Sequence, residues 1–419
     1  MRARVEALLA NGGGERVIAQ MTLASLLRGM DGVPAMPFDS STVDAQAGVS
    51  FRGLDCDGVS HILPESMLPL LLTGTPLDGS GDADWHAAME RRANFLDTAL
   101  NMGNAAGRNT PMTVLAAMVL GLDELSARHR GNGPRKGAEW EEYAIDAELV
   151  IGTMPLLCAA AFLIARGTRI RTRDIGWTPG VDWISQFCIP LSIDPTSDLA
   201  NLIREYARIH CCHGTNLSTT VSTAVASGLA TLPHAVASGI SGLSGPRHGL
   251  ANINTLTCFN EVWRRCNGEP NREVLAQYVE EILSTGVYPG AGHRELEVPD
   301  PRGTRLMRRA REMKFASDPR FTFLEFLMRE ISSVMQEVGK KLKKNVGTTF
   351  PNVDFFSGPA FAIAGLEPSS CYTNVFAMAR AMGWAAGAIL WHVRMGAIFR
   401  PGSYSLGQLE AILNGTATK

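Results

Sequence analysis

Three short stretches of this chain hold a histidine or an aspartate among proline and glycine residues. They are "GPRHGLAN" around His248, "YPGAGHRELEVPDPRG" around His293 and "FPNVDFFSG" around Asp354. Proline fixes its own φ angle and glycine lacks a Cβ atom, so together they can hold one side chain in a defined direction at a tight corner. A single histidine of this kind is more typical of a turn than of an active site. Three such corners that carry His, His and Asp indicate a catalytic set.

The type, order and approximate spacing of His248, His293 and Asp354 resemble the catalytic triad of the citrate synthase family, and the three strings around them resemble its signatures. Residues 17–53 and 374–401 are also similar to the corresponding regions of the family, so the likeness covers nearly the whole chain. The long form of the enzyme, typical of eukaryotes, is the closer likeness. Membership of this family would make the protein an acyltransferase that condenses an acyl-CoA with oxaloacetate.

The chemistry of that condensation explains the residue types. A Claisen condensation removes a very weakly acidic proton from the α-carbon of a thioester, and apolar neighbours make a carboxylate such as Asp354 a stronger base. The enolate oxygen needs a rigid hydrogen-bond donor in a dry site, which is the role that the resemblance gives to His248. The resemblance implies that His293 polarises the ketone of oxaloacetate and protonates its oxygen. Hydrolysis of the adduct then makes the reaction irreversible. We expect no metal and no cofactor, since acyl-CoA is a substrate.

Oxaloacetate carries two carboxylates, and the planar fork of arginine meets a carboxylate with two hydrogen bonds. The resemblance implies that Arg302, Arg380 and Arg400 bind oxaloacetate. In family members the last of these reaches into the site of the partner subunit, so we expect a homodimer with shared active sites. Arg28 matches a residue that grips a phosphate of coenzyme A in the family.

The oxaloacetate-binding loop departs from the family pattern His-Glu-Gly-Gly-Asn. The segment "IHCCHGTN" at residues 209–216 is one residue shorter and lacks the glutamate. One alignment places His213 at the binding position, and the other places Cys212 there. We favour His213, because an imidazole can hold the oxygen of the keto acid and a thiol does so poorly.

Two further departures surround His293. Ala291 stands where the family usually has an aromatic residue, and Glu297 replaces a basic residue near the phosphates of CoA. The missing ring leaves an apolar space for a longer acyl tail, so we expect Ala291 to mark an acyl pocket. Citrate synthase and a 2-alkylcitrate synthase that uses propionyl-CoA or a longer fatty acyl-CoA therefore both stay open. A non-catalytic paralogue that binds CoA is less favoured, because the His, His and Asp set is intact.

The pattern of apolar residues predicts a mostly helical chain, and the resemblance implies an all-α fold. Helical spacing is clearest over residues 83–102, 140–167 and 196–212. The resemblance implies two domains with the active site in the cleft between them. The large domain would comprise residues 1–252 and 362–419, and the small domain residues 253–361, carrying His293 and Asp354. We expect the small domain to close over the substrates and exclude water, with the glycine-containing corners at 290–292 and 357–358 as hinges.

Composition sets limits on function. The chain has 419 residues, 45% of them hydrophobic, and a formal net charge of −2, which argues against general nucleic-acid binding. Its longest apolar runs, 154–165 and 381–391, are too short to cross a bilayer comfortably, so we interpret them as buried helices. Eight cysteines without Cys-x-x-Cys pairs favour a reducing intracellular compartment, either the mitochondrial matrix or the cytoplasm. The basic run at 305–314 fits a solvated helix face or, as the sharper alternative, a phosphate ligand.

Overall fold

The computed structural model describes residues 2–10, 15–30, 32–92, 96–107, 109–130, 137–394 and 396–416. These residues are mainly helical, which confirms the all-α fold class. In chain order the α-helices are α1 (Arg2–Leu9), α2 (Leu23–Leu27), α3 (Met67–Thr73), α4 (Gly79–Arg92), α5 (Asp97–Ala106), α6 (Pro111–Leu120), α7 (Ala127–Arg130), α8 (Glu139–Ala165), α9 (Trp183–Cys188), α10 (Asp198–His210), α11 (Leu217–Ser227), α12 (Leu232–Leu243), α13 (Ala251–Arg265), α14 (Arg272–Thr285), α15 (Pro301–Ala310), α16 (Pro319–Lys341), α17 (Val353–Ile363), α18 (Tyr372–Arg394) and α19 (Leu406–Leu413). Strands β1 (Ser41–Asp44) and β2 (Gly48–Phe51) form an antiparallel hairpin.

Two of the three segments with helical spacing form single helices, α8 and α10. The third segment, 83–102, is divided, because α4 ends at Arg92 and α5 begins at Asp97. Local signals explain the start of α10, where the side chain of Ser197 accepts a hydrogen bond from the backbone N–H of Ala200 and so caps the helix.

Helices α8 and α18 pack against each other at the centre of the larger group of helices. Both apolar runs noted in the sequence lie within them, 154–165 in α8 and 381–391 in α18. Helix α8 is long and apolar enough to cross a membrane, with a mean hydropathy of 2.0 over 18 residues, but 89% of that window is buried inside the fold. The burial identifies α8 as a core helix.

A second group of helices runs from α13 to α17. Within it α13 packs on α17, α14 on α16, and α15 on α17. This grouping resembles the expected small domain, whose boundaries at 253 and 361 stay a prediction. The α13–α17 contact depends on Gly358, because a Cβ atom there would lie 1.9 Å from the backbone oxygen of Asn252. Residues 357–358 lie inside α17 against a neighbouring backbone and not at a loop corner, and the hinge expected there stays a prediction.

The basic run at 305–314 connects the two groups of helices. Arg305 lies 2.8 Å from a carboxylate oxygen of Asp57 and 2.9 Å from one of Glu205, which is on α10. Arg308 pairs with Asp57 as well, and Arg311 pairs with Glu325 on α16. The arginines of this run are thus engaged by carboxylates of the protein itself.

Candidate active site

Helix starts and their capping loops present most of the predicted site residues. Asp354 lies in the first turn of α17, where the side chain of Asn352 caps the helix. Arg302 lies in the first turn of α15, which Asp300 caps. His248 precedes α13 and His213 lies between α10 and α11. A helix start fixes the backbone by capping bonds, so side chains placed there are held in defined positions.

These residues meet in one buried cluster, which Arg380 of α18 completes. The rings of His213 and His293 have centroids 5.2 Å apart in an edge-on arrangement. The guanidinium carbon of Arg380 lies 4.7 Å from the centre of the Phe376 ring, and His248 packs against the same ring at 6.2 Å. The charges of Arg302 and Arg380 both act on Asp354 and on His213. The chain thus brings six of the predicted residues together from separate elements.

Burial raises the pKa of Asp354 to about 6, although Arg302 and Arg380 oppose the shift. The positive end of the α17 dipole would also favour the carboxylate. Phe355 and Phe356, both buried, remove water from this corner. The result is a carboxylate that is mostly ionised at neutral pH and more basic than a solvated aspartate.

The tautomer of His293 follows from its backbone contacts. Its Nδ1 atom accepts hydrogen bonds from the backbone N–H groups of Glu295 and Leu296, both at 3.1 Å. Burial and Arg302 lower the pKa of His293 to about 4, so the ring is neutral at pH 7. A neutral ring that accepts at Nδ1 carries its proton on Nε2. His293 therefore presents an N–H donor to the cluster.

His248 is also neutral, because burial, with a contribution from Arg380, lowers its pKa to about 4. Its Nε2 atom lies 2.9 Å from the hydroxyl oxygen of Ser218. That hydroxyl also lies 2.8 Å from Oδ1 of Asn216 and accepts a hydrogen bond from the indole N–H of Trp384 at 3.3 Å. Ser218 has one proton for two acceptors, so its hydroxyl rotation determines which nitrogen of His248 carries hydrogen.

Arg302 and Arg380 retain unused donors. Asp300 holds Arg302 through two hydrogen bonds, from Nε at 3.0 Å and from Nη2 at 2.7 Å. Arg380 donates from Nε to the backbone oxygen of His210 at 2.8 Å, and burial lowers its pKa to about 10. Among the described residues, Nη1 of Arg302 and both Nη groups of Arg380 have no hydrogen-bond acceptor. Two fixed guanidinium groups with free N–H donors can bind carboxylates.

The loop between α10 and α11 directs His213 and Cys212 differently. Nε2 of His213 is buried and has no hydrogen-bond partner among the described residues, and its ring faces His293. The thiol of Cys212 instead accepts a hydrogen bond from the hydroxyl of Ser41 at 3.0 Å. The geometry favours His213 over Cys212 as the side chain that faces a ligand.

Ala291 forms a close β-bridge pair with Pro351. The backbone bonds flank the pair, from Gly292 N–H to the oxygen of Phe350 at 2.8 Å and from Asn352 N–H to the oxygen of Gly290 at 2.9 Å. Proline is tolerated at 351 because this position requires no N–H donor. In such a pair both side chains point to the same face, so a ring at position 291 would lie over Pro351.

Beside this pair lies a cavity of about 490 Å³. Its apolar lining includes Pro299, Met307, Met328, Phe350 and Pro351. Ala291 itself does not line the cavity, but its partner Pro351 does. The pocket expected at Ala291 is therefore separated from this cavity by the bridge pair.

Arg28 and Arg400 are exposed and lie outside the buried cluster in the single chain. Glu297, the departure noted near the expected CoA phosphates, accepts a hydrogen bond from the amide of Gln46 at 2.8 Å.

Two residues with clear structural roles were missed in the sequence. Asp300 orients Arg302 and also accepts a hydrogen bond from the backbone N–H of Val353 at 3.1 Å, next to Asp354. Its signal was present, since it begins the "DPR" motif. Ser218 contacts His248 from 30 positions earlier in the chain, and no local pattern marks such a pair.

Comparisons with known proteins identify the family of this chain. The family model "Citrate synthase, C-terminal domain" matches residues 29–402. Citrate synthase 4, mitochondrial, of Arabidopsis thaliana is 30% identical over 95% of this chain and 85% of its own length. A probable mitochondrial citrate synthase of Glossina morsitans morsitans is 29% identical over 94% of this chain and 86% of its own length.

Solved structures show the same fold. A citrate synthase from Thermoplasma acidophilum, in a ternary complex with carboxymethyl coenzyme A and oxaloacetate, superposes with a TM-score of 0.75 at 18% identity, over 91% of this chain and 96% of that one. The citrate synthase of Pyrobaculum aerophilum gives a TM-score of 0.73 at 24% identity, over 94% and 96% of the two chains. The match of the family model over most of the sequence, together with the 30% identity across nearly its full length, shows that this chain belongs to the citrate synthase family of acyltransferase enzymes.

Proposed function

We propose that this enzyme condenses an acyl-CoA, acetyl-CoA by default, with oxaloacetate and hydrolyses the product to citrate and CoA. The observation that carries the proposal is the composition of the buried cluster. One carboxylate of raised pKa, Asp354, lies among neutral histidines and two arginines with free N–H donors. This combination can remove a weakly acidic proton beside a bound dianion.

In this proposal Asp354 takes a proton from the α-carbon of the thioester, and an N–H of His248 donates to the thioester oxygen as the enolate forms. Ser218 would turn its hydroxyl proton towards Nε2 of His248, so that Nδ1–H is the donor. The enolate carbon then attacks the ketone carbon of oxaloacetate. His293 donates from Nε2 to the ketone oxygen, which becomes a hydroxyl group. Water finally cleaves the thioester, which releases the CoA thiol, a new carboxylate and one proton. The proton held by Asp354 restores the Nε2–H of His293 and regenerates the enzyme.

Binding of oxaloacetate would use His213, Arg302 and Arg380 from one subunit. Arg302 and Arg380 supply fixed positive charge for the two carboxylates, and no reorganisation is needed because Asp300 and the backbone already hold them. We assign the exposed Arg400 to the neighbouring site of a homodimer and Arg28 to a phosphate of CoA. Both residues have the solvent access that such roles require.

A 2-alkylcitrate synthase activity on propionyl-CoA or a longer fatty acyl-CoA is the second candidate. The pairing of Ala291 with Pro351 favours it, because the side chain opposite Pro351 in this pair is a methyl group and not a ring. The acyl group would then extend into apolar space beside His293. A cofactor is not part of either proposal.

The relatives from Glossina morsitans morsitans and Arabidopsis thaliana are described as mitochondrial, which favours the mitochondrial matrix over the cytoplasm as the compartment. The eight cysteines are all buried and unpaired, as expected for a protein kept in a reducing compartment.

The test measures release of the CoA thiol from acetyl-, propionyl-, butyryl- and hexanoyl-CoA, with and without oxaloacetate. Oxaloacetate-dependent release from acetyl-CoA alone would support citrate synthase, and preferred use of a longer acyl-CoA would support the second candidate. Absence of oxaloacetate-dependent release with every acyl-CoA, although CoA binds, would refute both and leave a CoA-binding paralogue.

A further inference from the structure

The segment that carries His213 is held by a side chain from a distant part of the chain. The hydroxyl of Ser41, on β1, accepts a hydrogen bond from the backbone N–H of Gly214 at 2.8 Å. The same hydroxyl donates to the thiol sulfur of Cys212 at 3.0 Å. Its two contacts therefore lie on either side of His213 in the sequence, and none of the steps proposed above uses Ser41.

The bond to Gly214 fixes the peptide unit that joins His213 to Gly214. Ser41 binds the N–H of this unit, and its carbonyl oxygen, that of His213, accepts a hydrogen bond from Nδ2 of Asn216 at 3.1 Å. Gly214 has a φ angle of +57°, and a glycine allows the peptide unit before it to take more than one orientation. Two hydrogen bonds on opposite sides of the unit select one orientation of the backbone that carries the His213 ring.

Burial gives the hydroxyl of Ser41 no other choice of partners. Ser41 and Cys212 are 2% and 0% exposed. A backbone N–H can only donate, so Oγ of Ser41 is the acceptor towards Gly214 and its single proton is directed to the sulfur. Burial also raises the pKa of the Cys212 thiol, which is therefore a neutral acceptor. Removal of the hydroxyl would leave the N–H of Gly214 without its acceptor, which is costly in a partly buried site.

The hairpin of β1 and β2 contacts a second part of the cluster as well. The backbone N–H of Glu297 donates to the oxygen of Ala45, in the turn of the hairpin, at 2.9 Å. Gly48 lies so close to Pro301 that a Cβ atom would come within 2.6 Å of the proline ring. Pro301 is the first residue of α15, which carries Arg302 in its first turn. The hairpin is thus anchored against both elements that present ligands for oxaloacetate.

We propose that Ser41 is a positioning residue for oxaloacetate binding: its hydroxyl holds the backbone on both sides of His213 and so keeps the ring directed towards His293. This inference rests on the proposed function, in which His213 binds oxaloacetate. The two rings lie 5.2 Å apart, and Nε2 of His213 has no partner among the described residues. A preorganised side chain lowers the cost of binding, so loss of the Ser41 hydroxyl should weaken binding of oxaloacetate and spare the chemical steps.

The test compares Ser41→Ala with Thr42→Ala. Thr42 is a matched control, because it is the next residue of β1 but its hydroxyl bonds to that of Ser50 across the hairpin at 2.8 Å. For Ser41→Ala we expect the KM for oxaloacetate, and the Kd from calorimetric titration, to rise by roughly three- to tenfold, from the loss of one hydrogen bond. The kcat should stay within about twofold. Thr42→Ala should leave all three constants within about twofold. Partial unfolding would lower the apparent kcat and leave KM unchanged, so this split separates positioning from stability.

Cys212→Ala supplies a second readout. It removes the acceptor of the Ser41 proton and leaves the bond to Gly214, so the KM for oxaloacetate should rise, but less than in Ser41→Ala. The double variant should have the KM of Ser41→Ala, within about twofold, because both residues act through one hydroxyl. An unchanged KM in Ser41→Ala, an equal rise in Thr42→Ala, or effects that multiply in the double variant would overturn the assignment. If Ser41→Ala does not fold, an unchanged KM in Cys212→Ala overturns it alone.

Oxaloacetate-dependent thiol release by the wild type is measured first. Its absence would refute the proposed function. An active wild type whose Ser41→Ala variant keeps the wild-type KM and Kd for oxaloacetate would refute this inference alone.

Discussion

At the scale of single residues, the competition between burial and charge at Asp354 determines its chemistry. Arg302, Arg380 and the N-terminus of α17 favour an ionised carboxylate, yet burial outweighs them and raises the pKa to about 6. The same burial keeps His248 and His293 neutral, with pKa values of about 4. The removal of water is thus one cause with two effects. It makes the carboxylate of Asp354 a stronger base, and it keeps the two histidines uncharged so that each can donate a hydrogen bond.

Asp354→Asn should lower kcat for condensation by at least about a hundredfold, because the amide cannot accept the α-proton. Binding of oxaloacetate should change little, since Arg302, Arg380 and His213 remain in place. Steady-state kinetics and calorimetric titration with oxaloacetate test the two statements separately. Exchange of the α-proton of acyl-CoA with solvent should be lost in parallel. A variant that keeps more than about a hundredth of the wild-type turnover would contradict the role of Asp354 as the base.

The same substitution should stabilise the fold at alkaline pH. The pKa of Asp354 is raised from 3.8 to about 6, so between these values the folded state retains a proton that the unfolded chain has released. Stability therefore falls as the pH rises through this window, and the loss persists above it. Asn carries no such cost, so Asp354→Asn should exceed the wild type in free energy of unfolding by on the order of 2–3 kcal/mol at pH 8 and by little below pH 4. Urea denaturation at both pH values measures the difference. A variant that is equally stable at pH 8 would show that burial of this carboxylate costs nothing.

At the scale of elements, short connections position the reacting groups against one another. The bridge between 290–292 and 350–352 joins the corner of His293 to the start of α17, which carries Asp354. Gly290 and Gly292 have φ angles of +70° and +87°, which favour glycine and let the chain turn closely past Phe355 and Thr348. Asp300 connects Arg302 to the same helix start through its bond to Val353. The distances between Asp354, His293 and Arg302 thus depend on hydrogen bonds that involve the backbone.

Ala291→Phe should shift the substrate preference towards acetyl-CoA. The new ring, two positions before His293, would lie over Pro351, where it would compete with a longer acyl group for room. Each buried CH₂ group contributes roughly 0.8 kcal/mol, so three or four carbons in that space can favour a longer acyl-CoA by a factor of tens to hundreds, less the cost of ordering the chain. We expect the wild type to turn over butyryl- or hexanoyl-CoA detectably and the variant to lose this activity selectively.

The measurement is kcat/KM for acetyl-, propionyl-, butyryl- and hexanoyl-CoA with both proteins. Ala291→Val serves as a control of intermediate size. If the wild type uses only acetyl-CoA and Ala291→Phe behaves identically, the pocket hypothesis is wrong and the acetyl-specific assignment stands.

At the scale of the whole molecule, the ends of the described chain differ from its centre. Helix α19 has no buried residue, and Leu406 and Leu413 on it are 73% and 66% exposed. Ile398, two positions before Arg400, is 61% exposed. Exposed apolar side chains in such a concentration are typical of surfaces that another chain covers. They support the proposed homodimer in which Arg400 completes a neighbouring site.

Subunit mixing tests that arrangement. Arg400→Ala and His293→Ala should each be nearly inactive as homodimers. In a mixed dimer with shared sites, one site carries both lesions and the other carries neither, so a statistical mixture should recover about a quarter of the wild-type activity. Mass spectrometry of differently tagged subunits confirms that exchange has occurred. Exchange without recovered activity would show that Arg400 acts within its own subunit or not at all.

The sequence by itself determined the all-α class, the family and the three corners that carry His248, His293 and Asp354. Helical periodicity is a local property, and residues in short motifs are held by their own proline, glycine and capping neighbours, so both can be recognised without coordinates. The preference for His213 over Cys212 was also available from the chemistry of the side chains.

Only the tertiary structure decided which groups lie behind these corners. Three contacts join distant parts of the chain: Ser218 with His248, Tyr206 with Phe361 of α17, and Ala291 with Pro351. Gly358 was expected at a hinge but lies inside α17. A glycine stands there because only a residue without a Cβ atom allows the close contact with Asn252. Burial and the pKa shifts that follow from it arise when separate helices exclude water together, and no single segment of the sequence contains that information.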